Sequence, residues 1–434
     1  MTTPAKALAS NQSSMFSDSA WSLTFNLLNK SQTIAVIVAG LVIHGVIGIG
    51  EVTTVVAAAT LGAGLADFGY SYECGRFVAS NPTRPAAQRV IRRLGALIAV
   101  GAALSYVSFR FTVGIDHPWS TPWTLAAIAV LGGAFEASVV LLQLLYSLDR
   151  FRTGSAILGV FRAASGPLAI AVAAVTTSVA AVAITLAATE IVAASALFIA
   201  ARRVMAALPD YDPGGRIGLS YLWLGVGSVA NMFANRGDVL VVGALADPLA
   251  LGIYSVASQI ENAIESLALV PSSPLLVRAS RARAERAPIR PLMRRAHRAT
   301  LGLSVASTAL VLLLYAGYLA VATSDHQLSG RGAVLTITIC AAASSLVASA
   351  GVNMTALLAL QRYRLASVIR LSSGALAIVL FVTLVPHFAA PGAAIAAAGR
   401  DASLFVLSQF AARKATDNEP TVASTTGDRL PRRA

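Results

Sequence analysis

Apolar residues fill most of this chain in long runs separated by short polar connections. A helix needs about 20 apolar residues to cross roughly 30 Å of hydrocarbon. That ruler marks spans at 22–44, 47–71, 94–114, 122–147, 154–175, 178–201, 217–244, 249–276, 299–321, 332–360, 364–385 and 391–411. Such a pattern predicts an all-α polytopic membrane protein of about twelve transmembrane helices. Residues 1–20 and 413–434 are polar and read as tails, and the first 20 lack the apolar centre and cleavage site of a signal peptide.

Charge refines the picture. Every second connection is rich in arginine: Arg84, Arg89, Arg92 and Arg93, then Arg150 and Arg152, then Arg202, Arg203 and Arg216. Eight more lie between Arg278 and Arg298, followed by Arg362 and Arg364, and by Arg413 with Lys414. The opposite connections hold only Arg331, with Arg110 just inside the membrane edge. Basic connections stay on the cytoplasmic side, so both termini are expected there. The stretch 277–298 is expected to be a helix lying at the inner surface.

A repeat underlies the pattern. Gly50-Glu51-Val52 opens a run ending in Arg76, Arg84 and Arg92-Arg93, and Gly252-Ile253-Tyr254 opens one ending in Arg278, Arg286 and Arg294-Arg295. One ungapped shift superposes the leading glycine and all four arginine positions. Matched halves of six spans enter the membrane in one orientation, giving lobes related by a pseudo-two-fold axis along the membrane normal. The expected units are an N-lobe at 21–203, a linker at 204–216 and a C-lobe at 217–412.

Composition agrees: 56% of residues are hydrophobic, 12% are charged and the mean hydropathy is +0.70, so too little polar surface exists to cover a soluble core of this size. The net charge of +13 sits mainly in membrane-flanking connections and does not indicate nucleic acid. All but three of the 33 basic residues are arginine, which with abundant alanine suggests a GC-rich bacterial genome. Cys74 and Cys340 lie in or beside apolar runs and indicate no disulfide framework. The five histidines show no metal-ligand spacing, no cofactor is indicated beyond a coupling ion (H⁺ or Na⁺), and no Walker A sequence is present.

Two segments carry a family resemblance. Leu65-Ala66-Asp67-Phe68-Gly69-Tyr70-Ser71 with Arg76 resembles the first-half signature of polysaccharide exporters. Asn235-Arg236-Gly237-Asp238-Val239-Leu240, followed by Leu251-Gly252-Ile253-Tyr254-Ser255-Val256-Ala257, resembles the second-half one. The chain is thus similar to the Wzx-like oligosaccharide flippases of the multidrug/oligosaccharidyl-lipid/polysaccharide exporter (MOP) superfamily, relatives of the lipid II flippase and the MATE exporters. Gly50-Glu51-Val52 departs from the Gly-x-Tyr pattern usual in that family. The resemblance implies a flippase moving a polyprenyl-(pyro)phosphate-linked oligosaccharide to the outer leaflet of the bacterial plasma membrane by alternating access. It also implies a monomer among membrane lipids, with glycosyltransferases as candidate partners. The alternatives are a MATE-like exporter of small organic cations, a membrane glycosyltransferase or polymerase, and a non-transporting scaffold.

Charged side chains inside spans need a partner, an interface or a wet cavity, since each costs about 2.5–3.5 kcal/mol on insertion scales. Five cations qualify as phosphate anchors: Lys30, Arg162, Arg236, Arg370 and Arg400. Lys30 shares a polar face with Asn26, Asn29 and Thr33, in the span where the resemblance places cavity cations. Arg162 and Arg370 lie close enough to the cytoplasm to snorkel, and Arg400 adjoins Asp401. Arg236 points away from the Asn231/Asn235/Asp238 face at ordinary helical spacing.

The ion-coupling candidates are Glu261, Glu265, Glu136, Asp238 and Glu51. Glu261 and Glu265 stand one turn apart as like charges, or as groups each held by a neighbour. Glu51, Glu136 and Glu190 have an equally simple structural reading, and Asp67 and Asp238 suit helix caps or ion pairs.

Overall fold

The computed structural model describes residues 32–80, 82–113, 120–148, 150–211, 221–269, 289–321 and 326–417, together with 28, 272, 275 and 279. Lys30, Asn26 and Asn29 lie outside the described residues, as do the two tails apart from the last helix's final turns.

The described chain is helical throughout. The first half comprises α1 (Gln32–His44), α2 (Val46–Asp67), α3 (Tyr70–Ser80), α4 (Arg84–Val113), α5 (Pro122–Ser147), α6 (Phe151–Thr176) and α7 (Val179–Ala206). The second half comprises α8 (Tyr221–Met232), a π-helical segment (Phe233–Gly237), α9 (Asp238–Leu245), α10 (Pro248–Ala268), α11 (Arg290–Val321), α12 (Arg331–Ala359) and α13 (Tyr363–Asp417). Eight described helices are long and apolar enough to cross a membrane. α13 is two rods meeting at a kink, where Ala389 leaves helical geometry (φ 49, ψ −129) between Pro386 and Pro391. This kink falls between the last two expected spans. The span expected at 217–244 is broken by the π segment, and that at 249–276 holds α10 (Pro248–Ala268), with Ser272 and Leu275 also helical. The surface helix expected within 277–298 is corrected in part: from Arg290 onward those residues continue into the first turns of α11.

Local chemistry sets several boundaries. Thr121 accepts from the Thr124 amide at 3.2 Å ahead of Pro122, and Asp247 accepts from Leu249 and Ala250 at 3.0 and 2.9 Å ahead of Pro248. Both are N-caps followed by a proline at the first helical position. The Asp67-Phe68-Gly69 signature is a hinge between helices. Phe68 and Gly69 take left-handed φ of 41° and 76°, and the Asp67 carboxylate accepts from Gly69 and Ser71 amides at 3.1 and 2.8 Å. Asp67 therefore ends α2 and caps α3, as the structural reading of that signature expected.

The arrangement is inside-out relative to a soluble protein. The apolar window of α2 is 83% buried, whereas those of α4 and α11 are 22% and 17% buried and turn Phe111 and Leu313 outward. α2 is thus the central rod and α4 and α11 face lipid. Helices α4 to α7 pack among themselves, as do α8 to α13. The two sets meet where α2 lies along α8, the π segment, α9 and α10. α2 and α10 come closest at the repeat-matched glycines: a Cβ on Gly50 would stand 3.0 Å from the Gly252 nitrogen, and one on Gly252 would overlap the Val46 carbonyl. A residue meeting its own counterpart is what a two-fold relation predicts at its axis.

Candidate functional site

The second half carries a buried charge cluster. Asp238 opens α9, Glu261 projects from α10, and Arg400 and Asp401 come from the second rod of α13. Arg400 donates from Nη2 to Glu261 Oε1 at 2.8 Å and from Nε to Asp401 Oδ1 at 2.7 Å, with Nη1 3.9 Å from Asp238 Oδ2. Tyr254 donates its hydroxyl to Asp238 Oδ2 at 2.7 Å, and the Val239 amide donates to Oδ1 at 2.7 Å. Side-chain exposure is 7% or less throughout. The second oxygen of Asp401 has no partner among the described residues. One arginine thus faces three carboxylates in an interior where unpaired charge is costly.

Two further arginines stand beside this cluster. Arg236, from the π segment, and Arg370, from the first rod of α13, both have Glu265 within electrostatic reach. Both are half-buried among the helices. The π segment breaks the ordinary helical spacing on which the sequence reading of Arg236 relied, and Arg236 lies within electrostatic reach of Asp238.

The first half closes its charges locally. Arg162 grips Glu190 with a fork, Nη2 to Oε1 at 3.0 Å and Nε to Oε2 at 3.3 Å, and lies 5.3 Å over the Phe135 ring. His44 Nδ1 meets Glu51 Oε2 at 2.9 Å. Glu136 is fully buried beside Gly101, and neither carboxyl oxygen has a partner among the described residues.

These positions sort the sequence candidates. Arg162 is bonded to Glu190, and Arg400 to Glu261 and Asp401. Arg236 and Arg370 have Glu265 as a shared electrostatic neighbour. Of the two glutamates one turn apart, Glu261 is held by Arg400 and Glu265 lies near Arg236 and Arg370. Asp238, Glu261 and the Arg400–Asp401 unit join in one cluster, while Glu51 and Glu136 stand apart from it. Sequence reasoning missed Tyr254 as the holder of Asp238, although both residues lie in the quoted second-half signature.

No family model matches this chain, and no curated protein matches it. Solved structures do resemble it. The lipid II flippase MurJ in an inward closed conformation aligns at TM-score 0.62 with 12% identity, covering 90% of this chain and 88% of that one. A mutant of the Vibrio cholerae MATE transporter VcmN aligns at 0.62 with 16% identity, covering 95% and 98%. A MOP superfamily transporter from Pyrococcus furiosus, described by the reverse polarity of its binding pocket, aligns at 0.56 with 12% identity, covering 91% and 95%. The chain therefore has the fold of MATE transporters and MurJ, over nearly its whole length, and is a multi-pass membrane protein.

Proposed function

We propose that this protein is a transporter of the MOP superfamily that flips a polyprenyl-(pyro)phosphate-linked oligosaccharide from the inner to the outer leaflet of the bacterial plasma membrane. The observation that carries this reading is the pair Arg236 and Arg370, two half-buried guanidinium groups with Glu265 as a shared electrostatic neighbour. A glycan headgroup brings one or two phosphates into low dielectric, and guanidinium forks match phosphate oxygens bidentately. Lys30, in the opposite half of the sequence, is the proposed third anchor, with Asn26 and Asn29 as polar neighbours. The shared fold with a lipid II flippase supports the size and chemistry of such a cargo.

Asp238, Glu261 and Asp401 exceed Arg400 by two formal charges. Uptake of a monovalent cation, H⁺ or Na⁺, reduces that excess, so the cluster is the proposed coupling element. The same excess favours a second reading, export of small organic cations. Proteoliposomes separate the two. Arg236→Gln/Arg370→Gln should abolish flipping of a short-chain polyprenyl-pyrophosphate glycan while leaving the protein folded, whereas full flipping by the double variant, or cation export with no flipping by the wild type, would refute the flippase.

A further inference from the structure

A second cationic feature lies outside the charge cluster and the Arg236/Arg370 pair. At the arginine-rich end of the bundle, the start of α13 and its final turns run side by side and enclose a groove of about 810 Å³. Arg362, Arg364 and Lys414 line its mouth, and no carboxylate is among the described residues that line it. Its floor is apolar, including Val368, Leu407 and Phe410. Arg364, Val368 and Ser372 recur every four residues on one helical face, so the track runs about 12 Å into the bilayer at 1.5 Å per residue. Phe410 is 77% exposed in the groove wall, an apolar surface that an acyl chain can cover.

The mouth is built rather than merely basic. The turn joining α12 to α13 is tied by backbone bonds, Gln361 to Leu358 and Arg362 to Leu357, both at 2.9 Å. Arg364 stacks over the Trp223 ring at 5.3 Å, and Ser367 bonds the Trp223 carbonyl. A charge held at Arg364 is thus in direct contact with α8, the helix that leads into the π segment.

We infer that this groove is a binding site for an anionic phospholipid of the arginine-rich leaflet, with its phosphate at Arg362, Arg364 and Lys414 and an acyl chain along Val368 and Leu407. The three cations match an anionic headgroup, and the apolar track at membrane depth matches a chain that free phosphate lacks. The inference does not depend on which cargo the transporter carries.

The test uses the full chain in nanodiscs of phosphatidylcholine alone or mixed with phosphatidylglycerol, then native mass spectrometry of retained lipid. The wild type should retain phosphatidylglycerol in preference to phosphatidylcholine. Arg362→Gln/Arg364→Gln/Lys414→Gln should retain about tenfold less or lower still, as expected for several surface cations lost together. Val368→Trp fills the track, keeps the charges and should lose retention as well. Arg290→Gln/Arg294→Gln, which alters nearby cations outside the groove, should behave as wild type and controls for general surface charge. Equal retention of both lipids, or wild-type retention by the triple variant, overturns the site. Displacement of phosphatidylglycerol by inorganic phosphate, with Val368→Trp unaffected, overturns the lipid and assigns a free-anion site.

Discussion

The two halves of this chain share a scaffold but not a chemistry. Laying Gly50 on Gly252 also lays Val52 on Tyr254, Ala59 on Glu261, Ala63 on Glu265, Val36 on Asp238 and Ile34 on Arg236. Val36, Val52, Ala59 and Ala63 are all at most 4% exposed, so the first half packs these positions as ordinary core. The second half fills the same positions with Tyr254, Asp238 and Glu261 of the buried ionic cluster, and with Glu265. Glycines and flanking arginines, which set close approach and orientation, repeat in both halves. At these matched positions, groups able to hold an ion or a phosphate occur in the second half alone, so the repeat keeps the scaffold and diverges in its chemistry.

The sharpest way to break the comparison is Arg400→Leu. It strands three buried carboxylates, and removing one partner of a buried ionic group costs about 3–5 kcal/mol. Membrane abundance and thermal melting should both fall steeply. Next in size is Gly252→Val, which drives a side chain into the Val46 carbonyl and forces α2 from α10. A loss of about 1–3 kcal/mol is expected from such overpacking, read by melting temperature, and Gly50→Ala should cost less because its neighbours stand at 3.0 Å.

Tyr254→Phe sharpens the contrast by giving the second half a first-half-like apolar residue. It deletes only the bond to Asp238, for a loss of about 1–2 kcal/mol and altered ion dependence of transport. The smallest effect belongs to the first half. Glu136→Gln removes no observed hydrogen bond and keeps a buried polar group of the same size, so its shift in melting temperature should be the smallest of these variants. A large loss there would show that the first half has a working charge of its own.

Legibility in the sequence followed the range of each interaction. Helix positions at 47–71, 122–147 and 178–201 were readable because length and hydrophobicity are local properties, and the structure places helices at Val46–Asp67, Pro122–Ser147 and Val179–Ala206. The Asp67 cap was readable for the same reason, since its partners lie two and four residues away. Arg400 and Asp401 are neighbours and their pairing was foreseeable, but Glu261 is 139 residues distant and no spacing rule reaches it. Arg162 and Glu190 belong to different helices, and their fork likewise needed the fold. The π segment was illegible because a periodicity of 3.6 was assumed where the chain is wider. Lys30 lies outside the described residues, and its role rests on activity alone: Lys30→Ala should abolish complementation at unchanged membrane abundance.

The central claim is that Arg236 and Arg370 receive the phosphate of a lipid-linked glycan that the protein carries across the membrane. Depleting the protein and extracting lipids by leaflet tests this in the living cell. The account predicts polyprenyl-linked sugar trapped in the inner leaflet, relieved by the wild-type chain and not by Arg236→Gln/Arg370→Gln. An unchanged leaflet distribution on depletion would contradict it.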